Sequence, residues 1–136
     1  MSALKKPKEL IDLGFVTIEV IRPNIACVNV QNDEIVSVEK GIKILETYKP
    51  MIGDIKHATL VNLAGFYPPI KEFYKFILSQ RTIEKDNLVA RAVVSTNVAT
   101  RIEWQNFINT YKPLTPTKLF STIDEAITWI EPQLNR

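Results

Sequence analysis

From Phe15 to Ile21 the chain alternates Val16, Ile18 and Val20 with Thr17 and Glu19. This period of two predicts a strand with one buried face. Arg22-Pro23-Asn24 is a turn signal, and Ile25 to Gln31 carries a second strand pattern. So short a connection predicts an antiparallel hairpin, because a parallel pair needs a crossover of about a dozen residues. From Ser37 onward the period changes: Val38, Ile42 and Leu45 recur at i, i+4 and i+7, and Ile44 and Tyr48 widen the stripe. That predicts a helix with Ser37 as its N-cap, ended by Pro50 and Gly53.

His57 to Leu63 is a short, nearly continuous apolar run closed by Ala64-Gly65, as expected of a strand covered on both faces. Beyond the loop Phe66-Tyr67-Pro68-Pro69, the residues Ile70, Phe73, Tyr74, Ile77 and Leu78 fall on one side of a predicted helix. Asn87 opens a third buried strand, Leu88 to Ser95, and Ser95-Thr96-Asn97 offers caps for a helix carrying Ile102, Trp104, Phe107, Ile108 and Tyr111. Pro113 and Pro116 stop that helix. Thr117 to Phe120 is a short last strand, and Thr122 to Glu125 is a T-x-x-E capping box that starts a helix ended by Pro132. The order is β-β-α-β-α-β-α-β-α. It predicts an α/β domain with a mixed, mostly parallel sheet, an antiparallel N-terminal hairpin and helices mainly on one face. Residues 1–14 are expected to be a loose basic lead and residues 15–136 the single domain.

Composition narrows the function classes. A chain of 136 residues with 46% hydrophobic and 24% charged residues fits one ordinary globular domain. Seventeen Lys+Arg against 15 Asp+Glu leave a net charge of +2, too small to predict nucleic-acid binding or a polybasic membrane anchor. Cys27 stands alone, so no internal disulfide is expected. The apolar stretch after Lys5, Lys6 and Lys8 is broken by Asp12 and Gly14, and no run approaches the roughly 20 residues of a membrane span. These features lead us to expect a cytoplasmic protein with no signal peptide and no stable membrane insertion.

Three pieces of the chain carry a family resemblance: V-N-L-A-G at 61–65, A-V-V-S-T-N at 92–97, and K-P-L-T-P-T-K-L-F-S-T-I-D-E-A-I-T-W-I at 112–130. In these and in its element order over residues 15–131, the chain resembles the SpoIIAA-like superfamily of STAS and SEC14-type domains. The resemblance implies a regulatory or protein-interaction module, or alternatively a small carrier or sensor of an apolar, lipid-like or anionic ligand. It departs from the family at one place. Anti-sigma-factor antagonists carry a phosphorylatable Ser shortly after the strand-end Gly, whereas here no Ser or Thr lies between Ala64 and Ser79. A serine phosphoswitch of that kind is therefore not expected.

Catalytic chemistry finds no constellation. His57 is the only histidine and is expected to be a half-exposed strand-edge residue, so a multi-His metal site cannot be assembled, and no Ser-His-Asp triad is expected around it. Cys27, inside a strand, is expected to be a buried thiol of raised pKa. Asp33-Glu34 falls in a turn, Asp124-Glu125 in the capping box, and the four glycines form no phosphate loop. No catalytic residue, metal or cofactor is expected. Ligands of parallel sheets gather beyond the carboxyl ends of strands. A partner protein of unknown identity, or a small anion, is thus expected at Asn62, Gly65, Phe66, Tyr67, Ser95, Thr96, Asn97 and Arg101. Strand parity also suggests an open sheet face bearing Glu19, Asn29, Val89, Arg91 and Val93, with a homodimer formed through it.

Overall fold

The computed structural model describes residues 10–30, 38–63, 87–113 and 115–135. Its six-stranded sheet runs in sequence order: β1 (Leu10–Asp12), β2 (Val16–Arg22), β3 (Ile25–Val30), β4 (His57–Leu63), β5 (Leu88–Val94) and β6 (Thr117–Phe120). The first three strands are antiparallel, and β3 through β6 are parallel. Three described helices, α1 (Val38–Ile52), α2 (Val98–Tyr111) and α3 (Ile123–Leu134), complete a single α/β domain. The helix expected over 70–78, the Ser37 cap and the 66–69 loop lie outside the described residues.

Two local expectations need correction. The lead expected to be loose through residue 14 instead contributes β1, paired antiparallel to β2 with Ile11 opposite Ile18. A tight turn makes this possible: the Asp12 carboxylate accepts from Gly14 N–H at 2.8 Å, and Gly14 takes a φ of +91° that an L side chain rarely adopts. The last helix, too, ends later than expected, running past Pro132 to Leu134, whereas α1 stops just before Gly53 as its sequence predicts. Pro50 and Pro132 both sit inside the last turn, where α1 runs on to Ile52 before Gly53, at φ +79°, donates its N–H back to Lys49.

Both faces of the sheet carry a core. Helices α1 and α2 follow parallel strands as crossovers and pack on one face, over Val16, Ile18, Val28, Val30, Leu63 and Val93. Helix α3 follows β6 and folds under the sheet to pack Ala126 and Ile130 against Ala58, Leu60, Ala90 and Ala92. The three strand alanines, Ala58, Ala90 and Ala92, are wholly buried, and their small side chains let the helix come close to the strands. The face expected to lie open is therefore covered across β4 to β6. Helix α3 begins as its sequence predicts, with Thr122 Oγ1 accepting from Glu125 N–H at 3.1 Å and the Glu125 carboxylate accepting from Thr122 N–H at 3.2 Å.

Candidate interaction surface

The β5–α2 turn is built from its own side chains. Ser95 is buried; its N–H donates to the Phe120 carbonyl at 3.0 Å and its hydroxyl accepts from Asn97 N–H at 3.1 Å. Asn97 is the N-cap, its side-chain oxygen accepting from Thr100 N–H at 2.9 Å. Thr96 is exposed and Arg101, one turn into α2, is half-buried.

Helix α2 is apolar on two opposite sides. Thr100, Trp104 and Phe107 face the sheet and are buried, the two rings meeting edge-on at 6.2 Å. On the far side Val98 and Ile102 are 68% and 55% exposed, in line with Gln105 at i, i+4 and i+7. Ile102, counted with the apolar set of this helix from its sequence, thus points away from the core. Val98, Arg101, Ile102 and Gln105 form one wall of an open groove of about 360 Å³; Lys118 and Leu119 of β6 form the other. The N-terminal end of this groove adjoins the β5–α2 turn, so Arg101 belongs to both.

The remaining expected site residues are dispersed. Asn62 lies on the α3 face of the sheet, where its amide donates to Asn29 Oδ1 at 3.0 Å. It is not brought together with Asn97 and Arg101, which head a helix on the opposite face. Gly65, Phe66 and Tyr67 lie outside the described residues. The expected dimer face also needs correction, because its members do not share a face. Glu19 pairs with Cys27 in the α3-side core, and Asn29, two residues on from Cys27, shares that side. Val93 is wholly buried in the opposite core, and Arg91, two residues before it, is buried on that side with its guanidinium donating to Thr117 Oγ1 at 3.4 Å. Val89 is half-buried and packs against the α3-side core. The parity of β3 does not carry over by residue number to β5, since Cys27 is level with Leu60 and Leu60 with Ala92. Odd numbers on one strand thus align with even numbers on the other.

Residues 20–134 match the family described as Domain of unknown function (DUF7793). The chain belongs to that family. No curated protein and no solved structure matches it. The DUF7793 span takes in β3 to β6 and all three described helices, so the groove and the α3-side core lie within it, while the opposite core also draws on Val16 and Ile18 ahead of it.

Burial shifts two titratable groups among the described residues of this DUF7793 domain. The Cys27 thiol is pushed up to about 11, chiefly by burial and secondarily by the nearby Glu19 carboxylate, so it stays protonated at neutral pH. His57 is wholly buried, which corrects the half-exposed position expected of it: β4 is a central strand, and Tyr48 of α1 closes over the ring at 5.9 Å. Its Nδ1 lies 3.0 Å from the Ile55 carbonyl and must carry the proton to bond it, leaving Nε2 as a buried acceptor with no partner among the described residues. Burial, with a smaller contribution from Lys49, holds its pKa below the ordinary value. Among the described residues no group of three or more His, Cys, Asp or Glu side chains is placed to hold a metal. Nor is any described helix long and apolar enough to cross a membrane.

Proposed function

We propose that this chain is a non-catalytic, STAS-like regulatory module of the cytoplasm that docks a partner protein along the flank formed by α2 and β6. The observation that carries this reading is the outward apolar row of α2. A helix that needs only one face to hold the sheet has no use for Val98 and Ile102 on the other, and fully burying each against a partner contributes ~1.5–3 kcal/mol. Arg101 and Lys118 rim the same groove, in the pattern of an apolar centre with a charged border that protein interfaces use. An anion carrier is less well supported, because Ser95 and Asn97 already take backbone N–H groups at the start of α2. The groove is also open along its length, which suits a macromolecular surface better than an enclosed lipid.

Paired captures from the native lysate test the proposal, using wild type, Val98→Asp/Ile102→Asp, and Ile55→Asp as a control for an exposed apolar residue elsewhere. Proteins retained by wild type and the control but lost from the double variant are expected. An identical set on all three would overturn docking at this flank.

A further inference from the structure

Strand β6 ends the sheet, and no described strand pairs with its outer side. On its inner side the Pro116 and Phe120 carbonyls accept from Arg91 and Ser95 N–H groups of the β5 side. Backbone groups of a parallel ladder alternate in direction with a period of two, so the N–H and C=O of Thr117 and Leu119 point outward. An extended segment added there lies about 4.8 Å from β6. That places its α2-facing side chains beneath Val98 and Ile102 and beside Leu119, filling the groove. Charge then restricts what fits: two of the six lining residues are cations, none is a carboxylate, and Lys118 stands on the strand itself. A second copy of the chain pairing antiparallel through its own β6 would set Lys118 close to Lys118, an unfavourable like-charge approach. The flank is thus matched to a different, acidic partner.

We propose that an extended peptide segment alternating apolar and acidic residues adds to the outer edge of β6, its apolar side chains under Val98 and Ile102 and its carboxylates on the opposite, α3-side face toward Lys118, whose ammonium lies over the Phe120 ring. This rests on the docking reading and specifies the partner's chemistry and conformation. Main-chain hydrogen bonds to Thr117 and Leu119 supply attachment, and the α2 row on one face and Lys118 on the other supply selectivity.

A phage-displayed random-peptide library, selected on the intact protein and counter-selected on Val98→Asp/Ile102→Asp, tests it. The expected consensus alternates apolar and acidic residues with a period of two. The corresponding synthetic peptide should slow amide hydrogen exchange at Thr117 and Leu119, lose binding when its ladder-facing nitrogens are methylated, and bind on the order of tenfold more weakly to Lys118→Glu. Circular dichroism of each variant establishes that it folds. A consensus with helical spacing or basic residues, binding indifferent to N-methylation, or no enrichment at all overturns strand addition. Peptides that bind the Val98→Asp/Ile102→Asp variant as well as wild type overturn the docking reading itself.

Discussion

His57 is the residue whose environment has the most direct physical consequence. Its ring is held neutral in the native state with a pKa below the ordinary value of about 6.5, whereas the unfolded chain titrates near that value. As pH falls below about 6.5 the unfolded state takes up a proton that the folded state refuses, so stability present above that pH is lost on acidification. The slope approaches at most about 1.4 kcal/mol per pH unit, until the folded-state pKa is reached. Denaturant midpoints between neutral pH and pH ~5.5 should show this loss, and His57→Phe should flatten it; equal slopes in both proteins would refute the assignment. Cys27 should react with a thiol reagent at mildly alkaline pH only when denaturant unfolds the chain, because its thiol is both buried and shifted to about 11. Rapid labelling of the folded protein would show that the site is open. The state of Cys27 was legible from its place in an apolar strand. That of His57 was not, because a lone histidine at the start of a run gives no sign of whether the strand is central or at an edge.

At the scale of the elements, local signals with their own chemistry were legible and those set by tertiary context were not. The T-x-x-E box names the start of α3 without reference to the rest of the molecule, and both of its reciprocal hydrogen bonds form. Thr122→Ala should accordingly cost about 1 kcal/mol in thermal or denaturant unfolding, with Glu125→Ala acting in the same direction. Ile130→Ala, which empties the wholly buried contact of α3 with the sheet, should cost ~2–5 kcal/mol. Strand β1 escaped notice because three residues are too short for a period to show, although the Asp12 to Gly14 turn that creates it is written in the sequence. The outward row of α2 was hidden differently. Val98 and Ile102 are apolar like the core-facing set, and only a helical projection against Trp104 and Phe107 separates the two sides. Since neither is buried, Val98→Asp and Ile102→Asp should each change stability by no more than roughly 0.5 kcal/mol, leaving binding as what they alter.

For the whole molecule, the alternation of strands and helices predicted the mixed, mostly parallel sheet. It did not predict where a helix with no strand after it would go. The handedness of crossovers governs α1 and α2 but leaves α3 unconstrained, and α3 covers the face that strand parity alone leaves open. The expected site split for the same reason. The carboxyl ends of parallel strands do converge, but Asn62 and Arg101 belong to opposite faces, and the half headed by α2 adjoins a groove. What results is a domain with a core on each face of its sheet, and with Val98, Ile102, Arg101 and Lys118 lining one groove at the β6 edge. The most direct test is backbone amide chemical-shift mapping of the isotope-labelled protein titrated with a partner recovered by the wild-type capture. The docking account predicts that the largest changes cluster at Val98, Arg101, Ile102, Gln105, Lys118 and Leu119. Changes centred on Asn29 and Asn62, or on the outer side of α3, with the α2 and β6 amides unmoved, would contradict it.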